Sequence, residues 1–202
     1  MKSELGLNIM IRYLIFRHGE AVIMNGITAN NAPLTERGEA QARRLGERLM
    51  HFNATKFYTS ALRRARQTAE IVNSYINLAI KVDERLNEVD SYHMFYETAL
   101  YSNEVLGGKS TILGDFNKAQ LKLAEFLDEQ KKINDGKTVL LSAHGNVIKA
   151  LMAITLGISD KDALDRLIIG NTGLTVLEWL KDDDYQLVVF NDTNHLGELM
   201  FR

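Results

Sequence analysis

An apolar run from Ile11 to Phe16, broken only by Arg12, predicts a strand covered on both faces. Short continuous runs rich in β-branched and aromatic residues suit a buried sheet rather than a half-exposed one. A polar segment follows from Thr35 to Phe52, entered through Pro33, with Ala42, Leu45 and Leu49 at helical spacing. Phe57 to Ser60 predicts a second strand. The next helix, Leu62 to Ile76, places Ala65, Ala69, Val72 and Ile76 on one face in 3- and 4-residue steps. Ile80 to Val82 predicts a short third strand leading to Leu86-Asn87-Glu88. Periodicity is weak over residues 89–113, which contain Gly107-Gly108, so this stretch predicts an irregular or partly helical excursion. Asp115 to Ile133 is a long amphipathic helix with Phe116, Ala119, Leu123, Phe126 and Leu127 on one side.

Thr138 to Ala143 then repeats the opening theme. An apolar strand ends in His144-Gly145, as the first ends in His18-Gly19, and a helix runs from Val147 to Leu156. Leu174 to Leu180 and Tyr185 to Phe190 predict an antiparallel pair turned at Asp182-Asp183-Asp184. Strands alternating with helices indicate an α/β architecture.

Composition narrows the options without choosing among them. The 202 residues suit one domain with a large core, at most with a small cap. A formal charge of −2 offers no general attraction for nucleic acid or an anionic membrane, so any phosphate site must be a local cluster of cations. The absence of cysteine rules out disulfides, thiolate catalysis and cysteine metal sites, and fits a cytoplasmic location. No apolar stretch approaches transmembrane length. Glu4 and Asn8 break any signal-peptide-like core, and Met10 is an alternative start. No nucleic-acid or membrane partner is expected, and the oligomeric state is not legible.

The candidate chemistry lies where strands stop. Ligands of open α/β sheets bind beyond the carboxyl ends of strands, and Arg17-His18-Gly19-Glu20 sits at such an end. His144-Gly145 can converge on it if the two strands are sheet neighbours. A third strand end, Thr59-Ser60, precedes Leu62-Arg63-Arg64 at a helix start, where free N–H groups and the dipole favour anions. Arg17 with either Arg63 or Arg64 can clamp phosphate oxygens in a bidentate geometry that lysine lacks. One histidine would attack phosphorus and the other would donate a hydrogen bond to its oxygens. Glu88 would protonate the leaving alcohol, its pKa raised by the adjacent phosphate dianion.

These blocks, taken in order, resemble the histidine phosphatase superfamily, in its phosphoglycerate mutase-like branch. Arg17-His18-Gly19-Glu20 matches the opening motif, and Pro33 to Gly38 with Gln41-Ala42 the next block. Ser60 to Leu62, Arg64-Ala65 and Gln67-Thr68-Ala69 match the second-arginine helix, which selects Arg64 over Arg63. Leu86-Asn87-Glu88 matches the acid-bearing segment and Ser142 to Asn146 the second histidine block. Asn171-Thr172-Gly173 and Asn191 to Leu196 resemble the C-terminal blocks. The fold this implies is a three-layer sandwich with a mostly parallel central sheet, one antiparallel edge region and a small cap. Residues 1–202 would form a single domain, with 89–113 as a substrate-covering excursion.

The resemblance also implies roles. His18 would be the nucleophile, carrying a phosphohistidine intermediate, and Arg17, Arg64 and His144 would hold the phosphoryl group. Glu88 would serve as acid and then as base. Gly19, Asn25, Gly145 and Asn146 would contact phosphate or substrate, although Asn25 lies one position later than the family spacing. No metal or other cofactor is implied, because two arginines and a histidine supply the charge. The expected activity is hydrolysis of a small phosphorylated metabolite, a small-molecule phosphomonoester. Phosphoglycerate mutase chemistry and a non-catalytic phospho-ligand-binding role are the alternatives. Mutase action needs extra cations beside the pocket, and segment 89–113 offers only Lys109. That segment reads Val89-Asp90-Ser91-Tyr92-His93 and Gly107-Gly108-Lys109-Ser110, departing from the family pattern where substrate is usually covered.

Overall fold

One six-stranded sheet organises the molecule, in the order β3-β2-β4-β1-β5-β6. The computed structural model describes residues 9–23, 31–89, 108–133, 136–180 and 184–200, with the backbone alone at 108–114. The strands are β1 (Ile9–Arg17), β2 (Lys56–Thr59), β3 (Ile80–Val82), β4 (Lys137–Ala143), β5 (Leu174–Leu180) and β6 (Tyr185–Asp192). β1 pairs parallel with β4, and β2 lies parallel to both β3 and β4. β5 runs antiparallel to β1 and β6. The mostly parallel sheet with an antiparallel edge region is therefore present.

The β1 and β4 runs are continuous in apolar residues because each face of these strands meets a different helix layer. Ile11, Tyr13 and Ile15, with Val139 and Leu141, enter one core beneath α3 (Gly108–Ile133), α4 (Gly145–Leu156) and α5 (Asp160–Arg166). Leu14, Phe16 and Leu140 enter the other, beneath α1 (Glu36–Leu49) and α2 (Arg63–Asn73). Three layers result. Arg12 interrupts the β1 run without breaking the strand because Glu178 stands directly opposite on β5, 2.7 Å from its Nε.

Two helix limits differ from the periodicity. α3 starts at Gly108, seven positions before Asp115, across residues whose weak apolar spacing hides a helix. α5 carries only one fully buried side chain, Ala163, so it has too short an apolar stripe to announce itself. Its start is nevertheless encoded, since Ser159 Oγ accepts from the Asp162 N–H as an N-cap. α1 is capped the same way by Thr35, which accepts from the Gly38 N–H. Most of the excursion, residues 90–107, lies outside the described residues, as does the Asp182-Asp183 turn.

Close packing ties α1 to the first strand end. A Cβ added to Gly38 would run into the Glu20 carbonyl, and one added to Gly19 would meet the Gly38 carbonyl. Gly19 is thus required for close approach of two backbones, and its φ is not in the left-handed region.

Candidate active site

Parallel pairing brings three carboxyl ends together at adjacent positions. Arg17 pairs with Ala143 and Thr59 with Ser142, so β1, β4 and β2 stop side by side. The ladder continues one residue further on each side: the His18 N–H donates to Ala143 O and the Ser60 N–H to Ser142 O, both at 3.0 Å. The side chains of His18, His144 and Ser60 must then share one space. The two imidazole centroids lie 5.1 Å apart. Arg64, on the first turn of α2, turns inward with 3% exposure and donates from Nε to His18 Nε2 at 3.1 Å. Arg63, its neighbour, faces solvent.

Hydrogen bonding settles which nitrogen of His18 carries the proton. Nδ1 lies 2.7 Å from the Gly19 carbonyl oxygen, which can only accept, so Nδ1 carries the proton. Nε2 is left with its lone pair, and the Arg64 contact agrees because guanidinium can only donate. Burial is the largest cause holding His18 well below the ordinary histidine range, with Arg17 and Arg64 adding repulsion. His144 is likewise kept neutral by burial, then by His18, Arg64 and Arg17.

Arg17 donates from Nη1 to Ile169 O at 2.7 Å, which anchors the guanidinium. Its Nε is buried and has no partner among the described residues. His144 Nδ1 is in the same condition, while its Nε2 lies 2.8 Å from Ser60 Oγ. Unpaired buried polar atoms are rare because each costs about 1–3 kcal/mol. The Arg17 Nε–H, beside Arg64 and the bare His18 nitrogen, makes a cradle for an anionic, oxygen-rich group.

Glu88 reaches this cradle by a different route from the one its position suggests. It follows a 3₁₀ turn (Glu84–Leu86) rather than ending a strand. Its carboxyl accepts from the Val89 N–H at 3.1 Å and from the Asn146 N–H. Burial raises its pKa to about 7, against the pull of Arg17 and Arg64. Burial provides this rise without the bound phosphate that the sequence alone would require for it. A cavity of about 340 Å³ opens beside it, lined in part by Arg85, Asn87, Glu88 and Lys122.

The expected contacts divide. Gly145 lies against Arg17, since a Cβ there would come 3.9 Å from Arg17 Nε. Asn146 holds Glu88 through its backbone, and the Gly19 N–H is committed to Thr68 Oγ1 at 3.0 Å. Asn25 lies outside the described residues, together with Tyr92 and His93.

The C-terminal blocks that resemble the family supply a supporting set. The Thr172 N–H donates to Arg17 O at 3.1 Å, and Asn171 Nδ2 to His18 O at 3.1 Å, fixing the strand end from the β5 side. Thr172 does this with φ at 52°, a left-handed conformation costly for a β-branched residue. His195 stands behind it, 3.2 Å from Thr172 Oγ1. Arg48 joins His195 to Asp192, at 2.5 Å from the carboxylate. The Asn-Thr-Gly triplet was the available signal, since Asn and Gly mark unusual backbone.

Stability should carry the signature of these buried groups. His18, His144 and His195, the last lowered to about 4 by burial and Arg48, stay neutral where unfolded histidines protonate. They therefore cost stability as pH falls below about 6.5. Glu88 acts oppositely: from 4.5 to about 7 its folded carboxyl keeps a proton the unfolded chain has lost. That costs stability as pH rises, by roughly 3 kcal/mol at most. Three histidines outweigh one carboxyl, so thermal denaturation in phosphate-free buffer should show maximum stability near pH 6.5. A maximum below about pH 5.5 would contradict the neutral assignments.

Comparison with known proteins agrees with this geometry. The sequence profile of the Histidine phosphatase superfamily (branch 1) matches residues 13–100 and 107–193. The chain is 27% identical over 196 residues to "Uncharacterized phosphatase PhoE" of Bacillus subtilis strain 168, covering 93% of this chain and 98% of that protein. It is 26% identical over 177 residues to the 2,3-bisphosphoglycerate-dependent phosphoglycerate mutase of Thermoplasma acidophilum, covering 82% and 86%. Among solved structures, Bacillus stearothermophilus YhfR superposes with a TM-score of 0.73 at 26% identity, covering 92% of this chain and 99% of that one. Strand ends carrying Arg17-His18 and His144, the inward Arg64 and the matched profile together place this chain in the histidine phosphatase superfamily, branch 1.

Proposed function

We propose that this chain is a phosphomonoesterase that hydrolyses a small phosphorylated metabolite through a phosphohistidine on His18 Nε2. The observation that supports it most is the Nδ1–H bond to the Gly19 carbonyl, which leaves Nε2 unprotonated against Arg64, with the charge of Arg17 acting on the same ring. In the first step, the Nε2 lone pair attacks phosphorus as the bond to the leaving oxygen breaks, and Glu88 delivers the proton to that oxygen. Arg64 moves its Nε–H from Nε2 to a phosphoryl oxygen, because the new N–P bond consumes the lone pair. In the second step, water attacks phosphorus, Glu88 takes its proton, and the N–P bond breaks to restore neutral His18. Arg17 and Arg64 supply the charge that stabilises the transferring group, mostly by positioning.

A chromogenic phosphomonoester tests this reading. The expected result is one alcohol released per site in a burst, steady phosphate release, and alkali-stable label on the His18 peptide. Relatives named as mutases make phosphoglycerate interconversion the comparison to run beside it. Efficient isomerisation without net phosphate release would overturn hydrolysis, and label on another residue would overturn His18.

A further inference from the structure

We propose that Asn87 is a positioning residue that sets which ring nitrogen of His144 carries the proton, acting through Ser60. Asn87 Oδ1 accepts from the Ala61 N–H at 2.8 Å, which identifies that amide atom as the oxygen. Ser60 Oγ lies 2.9 Å from the same oxygen and must spend its single hydrogen there. Ser60 Oγ also accepts from the Leu62 N–H at 3.1 Å. Its 2.8 Å contact with His144 Nε2 can then be made in one way only, with His144 donating. Neutral His144 therefore holds its proton on Nε2, and Nδ1 is a buried bare nitrogen with no partner among the described residues.

This assignment has a consequence for binding that rests on the phosphatase reading. A phosphoryl dianion placed against bare Nδ1 sets lone pair against lone pair, so one proton must lie between them. The charged groups acting on the ring are Arg64 on α2 and Arg17 at the end of β1, and Arg17 in turn interacts with Glu88 beyond the 3₁₀ turn and Lys149 on α4. His18 faces it as a neutral group. Binding should thus take up about one proton, and Asn87 fixes that requirement. Without Asn87, the Ser60 hydroxyl is free to turn and donate to Nε2, which lets the ring carry its proton on Nδ1 and dispense with the extra one.

Long-range ¹H–¹⁵N NMR of the full-length, ligand-free protein reads the tautomer directly, with a His144→Gln variant assigning the signal. Wild type should show Nε2–H, and Asn87→Leu should shift the ring toward Nδ1–H. Asn87→Asp keeps an acceptor and should retain the wild-type tautomer. Ser60→Ala should shift it as Asn87→Leu does, and serves in its place if the leucine variant does not fold. Calorimetry with orthovanadate in buffers of different ionisation enthalpy then counts protons: about one for wild type and Asn87→Asp, falling toward zero for Asn87→Leu. Nδ1–H in wild type, or an unchanged tautomer in Asn87→Leu and Ser60→Ala, overturns the proposal. Failure of orthovanadate to bind would instead overturn the phosphatase reading and leave the tautomer result standing.

Discussion

Replacing His18 with alanine should abolish turnover, by at least about 10⁴-fold in kcat, while the protein keeps its fold. The reason is positional rather than compositional. The lone pair on Nε2 faces Arg64 through a tautomer that the Gly19 carbonyl enforces, and water admitted to the gap inherits neither that aim nor its basicity. Folding should survive because the ring meets polar neighbours and is itself buried without charge. The cavity left by the ring should admit free imidazole, so partial recovery of phosphate release by millimolar imidazole is expected. Turnover within tenfold of wild type would remove His18 from the chemistry.

Glu88→Gln should separate substrates by leaving group. Protonation by a positioned acid contributes on the order of 10²–10⁴-fold, so an alkyl phosphate should lose about that much. A nitrophenyl phosphate should lose far less, since its phenolate departs without a proton. The pH profile carries the same information. With Glu88 at about 7, kcat/KM of the wild type should decline above about pH 7 as the acid ionises, and Glu88→Gln should lack that limb. The acid limb, set by protonation of His18, lies well below the ordinary histidine range because burial opposes the charged imidazole. Equal losses for both substrates would assign the proton to another group.

Much of this site was legible in the residues alone, and the reason is physical. A strand end that carries chemistry stands beside an apolar run with a definite period, so Arg17, His18 and His144 could be placed once their runs were recognised as strands. Helical spacing alone leaves Arg63 and Arg64 equal, because both open the same helix and one residue of rotation decides which faces inward; only the motif resemblance selects Arg64. The structure agrees, with Arg64 buried and Arg63 facing solvent. What stayed hidden was held by single hydrogen bonds across the sheet: Asn87 to Ser60, Ile169 O to Arg17, and Thr172 to the His18 backbone. Bonds of that kind have no period, and their partners are 27 or more residues apart. The origin of the raised Glu88 pKa was hidden too, since burial belongs to the finished packing rather than to any local segment.

The sheet order has a bearing on how the protein assembles. β1 precedes both of its neighbours in the chain, β4 and β5, whose pairing segments begin at Lys137 and Leu174. At ribosomal rates of roughly 5–20 residues per second, the most apolar strand waits many seconds for either partner. Contacts so distant along the chain are also the slow ones to form, since loop closure must precede their reward. His18 is thus made well before the strands that complete its surroundings, so phosphate release should report completed folding rather than partial assembly.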